Sequence, residues 1–228
     1  MAGQSGIGCV GLANTNHWMR GGTYGWRVAE RGLLFIGWTN TMPNMPPWGG
    51  DRNTIGNNPF VMAIPRSEGH VVLDMAMSQY SYGKLEWHAK KGGMMPEFAG
   101  YDTRGEITRD PAEVLATERI LPAGLWKGSA MAMVMDLAAA VLSGGLTTCG
   151  IGDLPAETKL SQVFISVNIR QFMPQREIDS ITREALDFIR QQNDRILYPG
   201  QRALEHRQKC LLEGLEIPDE LWKEICSL

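Results

Sequence analysis

Ile7-Gly-Cys-Val-Gly-Leu-Ala13 runs directly into Asn14-Thr-Asn-His-Trp-Met-Arg-Gly-Gly-Thr-Tyr-Gly-Trp26, and this junction decides how the chain is interpreted. The apolar run predicts a buried strand, and the polar, glycine-rich residues after it predict a loop. Such a loop can present a titratable side chain to a small molecule. The pattern makes His17 a candidate general acid or base, although a loop histidine on its own is more often a hydrogen-bonded surface residue.

The composition is that of an ordinary globular protein. The 228 residues are enough for one large domain or two small ones, and 43% are hydrophobic and 21% charged. A net charge of −3 gives no reason to expect nucleic acid as a partner. No apolar run approaches the roughly 18 residues of a membrane span, and no leader pattern is seen, so we expect a cytoplasmic protein with no membrane association.

Cysteine and histidine spacing argues against a metal site. The four cysteines form no CxxC pair, and the four histidines form no HxxxH or HExxH pattern. We therefore predict reduced, structural thiols, with Cys9 in the core because it lies within an apolar run. No bound metal is expected.

Apolar periodicity and turn residues predict the remaining elements. Strands are predicted over 6–13, 33–39, 60–64, 70–74 and 162–169, with the third and fourth forming a hairpin. Helices are predicted over 24–31, 127–142, 176–193, 202–212 and 218–228, and residues 40–59 form a long ordered loop. The helix over 127–142 is apolar on nearly all faces, which predicts burial in the core or against another subunit. Asp136 interrupts it and needs a polar partner.

Two motifs suggest other dehydrogenase folds. Gly6-Ile-Gly-Cys-Val-Gly11 fits G-x-G-x-x-G, but a dinucleotide fingerprint needs a strand before it and a helix after it. Tyr80-Ser-Tyr-Gly-Lys84 fits the Tyr-x-x-x-Lys pair of short-chain dehydrogenases, which requires a helix. Gly83 and the preceding strand argue against a helix there. We interpret both motifs as coincidental.

Several further segments follow one another in a recognisable order along the chain. They are Gly37-Trp-Thr-Asn-Thr41, Met45-Pro-Pro-Trp-Gly49, Ile55-Gly-Asn-Asn-Pro59, Leu73-Asp-Met-Ala-Met-Ser78, Ser81-Tyr-Gly83, Ile120-Leu-Pro-Ala-Gly-Leu-Trp-Lys-Gly-Ser129 and Tyr198-Pro-Gly200. With the His17 loop, they resemble the malate/L-lactate dehydrogenase family, which is unrelated to the Rossmann-type lactate dehydrogenases. The resemblance implies an α/β fold of that family's type, a mixed sheet with flanking helices. It also implies a cofactor-binding α/β domain over 1–175, a C-terminal helical segment over 176–228, and a homodimer.

The same resemblance implies an oxidoreductase that uses NADH or NADPH to reduce the carbonyl of a 2-keto acid to the 2-hydroxy acid. His17 is the expected catalytic acid. Nearby polar side chains are candidates to hold the substrate, although each could equally satisfy loop backbone groups: Asn16, Arg20, Thr41 and Asn58. The residues that the family uses for the cofactor correspond here to His70, Val71, Val72, Leu73, Asp74, Met75, Ala76, Trp126, Lys127, Gly200, Gln201 and Arg202.

Elementary chemistry agrees with parts of this assignment. Asp74 closes an apolar strand, where a carboxylate can accept hydrogen bonds from ribose hydroxyls. Lys127 begins a helix, where a cation is unfavourable unless an anion compensates it. Gly200 lets the backbone approach a ligand closely. Where the family motif carries Gly-His-Glu, this chain has Gly-Gln-Arg, so Arg202 replaces an acid and could admit the extra phosphate of NADPH. The choice between NADH and NADPH stays open.

One departure from the family pattern concerns the N-terminus. Family members begin with a helical segment whose Ser-His-Gly motif supplies a proton-donating histidine, and this sequence starts at Met1-Ala-Gly-Gln-Ser5 without such a motif. We therefore expect an N-terminally truncated version of the fold, with His17 taking the proton-transfer role. The alternative is a catalytically inert cofactor-binding fragment, or a partner subunit that lacks the catalytic segment.

Overall fold

A five-stranded sheet forms the centre of the protein. The computed structural model describes residues 1–193 and 195–227. The sheet has the strand order β1-β7-β2-β3-β4 and is formed by β1 (Ile7–Thr15), β2 (Leu34–Thr39), β3 (Phe60–Ile64), β4 (Val71–Met75) and β7 (Leu160–Val167). A separate two-stranded ribbon pairs β5 (Gly100–Tyr101) with β6 (Ile107–Thr108).

Helices occupy most of the remaining chain. They are α1 (Ala2–Ser5), α2 (Gly22–Ala29), α3 (Tyr82–Lys90), α4 (Pro111–Thr117), α5 (Trp126–Ser143), α6 (Thr148–Gly152), α7 (Gln175–Arg190), α8 (Gln201–Glu213) and α9 (Asp219–Cys226), with a 3-10 turn at Ile169–Gln171. The predicted strands, the hairpin of β3 with β4, and the predicted helices are confirmed to within a few residues at their ends. Leu228, which the last predicted helix included, lies outside the described residues.

The sheet separates two apolar cores. On one face, α2 packs over β2 and β3, and its core contains Trp18, Ala29, Phe35, Val61, Ala63 and Val72. On the other face, α5 packs over β7 and β2, and a larger core includes Trp38, Met135, Ala139 and Val163. Successive strand residues point to opposite faces, which is why neighbours on β2 belong to different cores. The predicted α/β class, a sheet flanked by helices, is confirmed.

The sheet is antiparallel in every pair, and not mixed as the resemblance implied. β1 pairs with β7, β7 with β2, β2 with β3, and β3 with β4, all in antiparallel register. The helix α2 links β1 to β2, and these two strands run in the same direction. Because β7 returns from far along the chain and lies between them, they are not hydrogen-bonded to each other.

The long loop after β2 is ordered by a buried polar network. The fully buried Asn40 donates from Nδ2 to Asp136 Oδ1 and to the Leu146 carbonyl, each at 2.8 Å, and its Oδ1 accepts from the Ser161 N–H at 2.8 Å. Asp136 Oδ1 also accepts from the Thr148 N–H at 2.8 Å. The polar partner that Asp136 was predicted to need is therefore confirmed, and the network ties the loop to α5 and β7.

The prediction that no helix forms around residues 80–84 was wrong. Ser81 caps α3: it is extended, and its side chain accepts from the Lys84 N–H at 3.2 Å. Gly83 lies in the first turn of this helix. Tyr80 precedes the helix, and Lys84 Nζ lies 4.9 Å from the centroid of its ring. The Tyr-x-x-x-Lys match thus straddles a helix boundary and does not lie on one helical face.

One prediction of burial was also wrong: Cys9 is exposed, because β1 is the edge strand of the sheet. The helix α5 is buried against the sheet on one side, and Val134, Leu137 and Val141 on its other side are 63%, 59% and 82% exposed in the single chain. We call these three residues the α5 patch. Burial of that side against another subunit stays a prediction. Of the helices that the structure describes, none combines the length and the apolar character needed to span a bilayer.

Candidate cofactor and substrate site

A pocket opens where β4, the start of α2 and the turn before α8 meet. Its volume is about 530 Å³. We call it the β4 pocket, and it is lined by Arg20, Gly22, Trp26, Val72, Asp74, Arg195, Leu197, Tyr198, Gly200, Arg202 and Ala203. Residues before and after position 175 thus form it together, so the predicted C-terminal helical segment contributes directly to the pocket.

The turn at Gly200 rests on the backbone of β4. The Val72 N–H donates to the Pro199 carbonyl at 2.9 Å. Gly200 has φ +93°, and a Cβ atom there would lie only 3.0 Å from the Val72 nitrogen. Glycine is therefore required both for its left-handed conformation and for the close approach of two backbones. The close approach that the structure shows is to β4, and the predicted approach to a ligand stays a prediction.

We expect Gly200→Ala to destabilise the protein by about 1–3 kcal/mol, because alanine must adopt a left-handed conformation and displace β4. Urea unfolding measures this effect. Gly83→Ala is the control, because a Cβ at Gly83 meets nothing within 4 Å. Equal stability of the two variants would contradict this account.

Further contacts make this turn rigid. Two guanidinium groups contact the Tyr198 ring, with the Arg66 and Arg190 Cζ atoms each 5.3 Å from its centroid. Gln201 accepts at Oε1 from the Arg190 guanidinium and from the Tyr198 N–H, the latter at 3.4 Å. Gln201 therefore holds the turn in place, in addition to any contact with a ligand.

Asp74 joins β4 to the start of α2. Its Oδ2 accepts from the Gly22 N–H at 2.8 Å, so the carboxylate lies at the positive end of the helix dipole. A Cβ at Gly22 would lie 2.6 Å from the same oxygen. The sequence Gly21-Gly22 thus lets the backbone reach Asp74. This carboxylate lines the pocket, and one of its oxygens is already engaged.

His70 precedes β4 and is half-buried outside the β4 pocket. Its Nδ1 accepts from the Arg66 N–H at 3.2 Å, and its ring lies 5.8 Å from the Trp26 ring. Burial lowers the pKa of the His70 imidazole below its ordinary value of 6.5, and the opposing effect of Glu30 is smaller. At neutral pH the imidazole is therefore uncharged, and the bond that it accepts from the Arg66 N–H stabilises the turn between β3 and β4.

This lowered pKa predicts an acid-sensitive stability. Well above pH 6.5 His70 is neutral in the folded and unfolded chains, and its pKa shift does not affect stability. As the pH falls below that value, the unfolded chain binds a proton first, so the free energy of unfolding decreases toward the folded-state pKa. His70→Gln should remove this part of the pH dependence between pH 7 and about 5.5. Urea midpoints across that range test it, and identical slopes for both proteins would exclude it.

Trp126 and Lys127 lie beyond the end of β4 and do not line the pocket. The Ala123 N–H donates to the Met77 carbonyl at 2.8 Å, which fixes the start of α5 against the residues that follow β4. Both side chains are exposed. From Val72 to Met77 an extended chain covers about 16 Å. The predicted cofactor residues on β4 and at the start of α5 therefore form one elongated surface, which we call the β4 strip. Leu125, directly before α5, has a strained backbone with φ 60°.

The His17 loop is fixed by its neighbour. Trp18 is 4% exposed and packs against Tyr24 and Phe164, with ring centroids at 5.9 and 6.2 Å, while His17 is exposed. The Met19 N–H donates to His17 Nδ1 at 3.0 Å. In the neutral ring the proton is therefore on Nε2, which is the atom free to meet a substrate. Met19 has φ +63°, a strained conformation for this residue type.

The substrate candidates fall into two groups. Asn16 and Arg20 are exposed beside His17, and Arg20 also lines the β4 pocket. Thr41 and Asn58 are buried: Asn58 accepts from the Thr41 N–H at 3.0 Å and donates to the Ala132 carbonyl at 2.8 Å. These last two side chains are engaged in holding the loop after β2.

Sequence reasoning missed some residues of the pocket. Arg195 and Trp26 were not predicted, and Tyr198 was noted only as part of a motif. Arg195 lies three residues before the Tyr198-Pro-Gly200 motif, and this positive charge beside a motif of the cofactor site could have identified it. Trp26 lies on the face of α2 that turns toward β4, and its role depends on tertiary packing that a short helix does not reveal.

A family model described as malate/L-lactate dehydrogenase matches residues 1–226. The chain belongs to the malate/L-lactate dehydrogenase family. The 2,3-diketo-L-gulonate reductase of Citrobacter koseri is 37% identical to it over 234 residues, an alignment that covers 100% of this chain and 70% of that reductase. The corresponding reductase of Pasteurella multocida is 38% identical with the same coverage. The predicted family is confirmed.

Solved structures agree with the family. The sulfolactate dehydrogenase of Methanocaldococcus jannaschii superposes with a TM-score of 0.86 at 29% identity, over 99% of this chain and 68% of that one. The malate dehydrogenase of Entamoeba histolytica, at 22% identity, shares the fold with a TM-score of 0.89 over 99% of this chain and 68% of that one. The malate/L-lactate dehydrogenase fold is therefore present in this chain.

Proposed function

We propose that this protein reduces the C2 carbonyl of a 2-keto acid, of the 2,3-diketo-L-gulonate kind, with NADH or NADPH. The observation that carries the proposal is the meeting of two predicted groups of residues. Arg20, in the His17 loop, lines the same β4 pocket as Asp74, Gly200 and Arg202. A family of malate and lactate dehydrogenases, with 2,3-diketo-L-gulonate reductases among the similar proteins, supports a carbonyl–alcohol reaction.

The residues of the pocket fit a nicotinamide cofactor. Among the described residues, the N–H groups of Arg202 and Ala203 at the start of α8 have no hydrogen-bond partner, and both residues line the pocket. Such N–H groups suit phosphate oxygens. Lys127, at the far end of the β4 strip, adds a cation at the start of α5. When bound, the reduced cofactor supplies the hydride that the carbonyl carbon needs.

The proton for the carbonyl oxygen is assigned to His17. Uptake of a solvent proton at Nδ1, in place of the bond from the Met19 N–H, first gives the imidazolium, which an exposed ring allows. Its Nε2 then delivers a proton to the oxygen as the C2 alcohol forms, and the ring is left neutral. We assign the carboxylate and hydroxyl groups of the substrate to Asn16 and Arg20, because an arginine can bind a carboxylate through two parallel hydrogen bonds.

The test is turnover by the purified protein of 2,3-diketo-L-gulonate, pyruvate and oxaloacetate, each with NADH and with NADPH. We expect a 2-hydroxy acid product and oxidised cofactor in equal amounts for at least one pair. Cofactor binding without turnover of any keto acid would support the alternative, an inert cofactor-binding chain or partner subunit. Absence of both binding and turnover would overturn the proposal.

We also infer that the protein is a homodimer that buries the α5 patch. Val134, Leu137 and Val141 are exposed on one helix, and such clustered apolar side chains mark contact surfaces more often than free ones. Sedimentation of the protein should show a dimer, and Leu137→Asp should shift it toward the monomer. A monomer at micromolar concentration would exclude this contact.

A further inference from the structure

We propose that the β4 pocket selects NADPH over NADH, with Arg195 and Arg202 holding the 2′-phosphate of the adenosine ribose. The inference rests on the proposed function, since it concerns the cofactor of the same site. It adds the chemical group that decides between the two cofactors, a phosphomonoester dianion, and the two side chains that recognise it.

The charge of the pocket is the first argument. Arg20, Arg195 and Arg202 line it, and Asp74 is the single acid among the lining residues. None of the three guanidinium groups forms an ion pair with any residue that the structure describes. Three cations around one cavity repel one another unless an anion joins them, and arginine binds phosphate through two parallel hydrogen bonds.

The start of α8 is the second argument. Arg202 and Ala203 line the pocket, and their N–H groups have no partner among the described residues, while Gly200 brings the turn close to β4. The helix has 13 residues and no side-chain cap. Arg202 therefore presents a guanidinium and a helix N-terminus to the same space, and both favour a dianion.

The engagement of Asp74 is the third argument. Sites that favour NADH commonly offer a free carboxylate to the ribose hydroxyls, whereas an arginine accommodates the 2′-phosphate. Here Oδ2 of Asp74 already accepts from the Gly22 N–H at 2.8 Å, at the start of α2. The helix dipole offsets part of its charge, which reduces its repulsion of a phosphate in the same pocket.

Equilibrium binding tests the inference with two matched pairs of ligands, NADPH with NADH and 2′,5′-ADP with 5′-AMP. The members of each pair differ only in the 2′-phosphate. We expect the phosphorylated member to bind at least about tenfold more tightly, and the preference to weaken as salt is added. In the double variant Arg195→Gln and Arg202→Gln, the preference should fall to about threefold or less, because NADPH binding weakens more than NADH binding.

The control is Arg176→Gln on α7, an exposed arginine outside the pocket, which should leave the preference intact. NADH binding as tightly as NADPH, or a preference that survives in the double variant, would overturn the inference and leave the proposed function standing. Failure of both dinucleotides to bind the wild-type protein would overturn the inference and the proposed cofactor dependence together.

Discussion

His17→Ala should lower kcat for keto-acid reduction by about 10²- to 10⁴-fold and leave cofactor affinity nearly unchanged. The loss is large because the variant has no group at this position to deliver a proton to the developing alkoxide. Cofactor binding should persist, because His17 is exposed in the loop after β1 and does not line the β4 pocket. Turnover and equilibrium binding, measured on the same preparation, separate the two effects.

His17→Gln distinguishes proton transfer from a purely orienting role. Glutamine can donate a hydrogen bond to the carbonyl oxygen but cannot transfer a proton at neutral pH. We expect it to remain as impaired as alanine. His88→Ala, which changes a half-buried histidine on α3, is the control and should keep wild-type turnover. Full activity of His17→Gln would assign His17 an orienting role, and full activity of His17→Ala would exclude it from the chemistry.

Asn40→Ala should destabilise the protein by about 2–4 kcal/mol, the largest stability effect that we expect from a single polar substitution. Asn40 makes three hydrogen bonds while fully buried. Its removal leaves the Ser161 N–H without its side-chain acceptor and creates a small cavity beneath the loop. Asp136 and the Leu146 carbonyl keep other donors, from Thr148 and Ser161, which limits the loss.

Urea unfolding measures this change, with Thr54→Ala as the control on the same loop, because Thr54 is exposed. The control should remain within about 0.5 kcal/mol of the wild type. A similarly small effect for Asn40→Ala would mean that water or a rearranged loop replaces the network. In that case the order of the loop after β2 would need another explanation.

Local sequence signals were sufficient for most of the secondary structure. The apolar run at 60–64, the Pro-Arg-Ser-Glu-Gly turn and the apolar run at 70–74 predicted the β3–β4 hairpin, which forms with Ile64 opposite Val71. The helix α3 was missed because Gly83 outweighed the stronger signal, the N-cap residue Ser81. A capping hydrogen bond that a serine side chain accepts offsets the low helix propensity of one glycine in the first turn.

Local sequence patterns could not predict the order of the strands in the sheet. β7 lies about 120 residues after β2 in the chain, yet it pairs with both β1 and β2. Nothing in the apolar pattern of residues 160–167 specifies which neighbours it pairs with, because that choice depends on the packing of α5 and α2 on opposite faces. The burial of Cys9 was mispredicted for the same reason, since an edge strand and a central strand can have similar sequences.

The site was predicted in part. Asp74, Gly200 and Arg202 are distant in sequence, and the structure brings them into one pocket with Arg20. Thr41 and Asn58 have the composition of ligand-binding residues, but their side chains are buried and bonded to the protein itself. A sequence shows that a polar residue lies in a loop. It does not show whether the loop folds inward around that residue or presents it to a ligand.

Deuterium transfer tests the central claim most directly. The protein would be incubated with a keto acid and with NADPH carrying deuterium at both C4 positions of the nicotinamide, and the product would be analysed by mass spectrometry and NMR. We predict a 2-hydroxy acid with one deuterium at C2, formed by the wild type and lost in His17→Ala. Cofactor oxidation without deuterium in the product, or cofactor binding with no 2-hydroxy acid formed, would contradict the assignment of this protein as a keto-acid reductase.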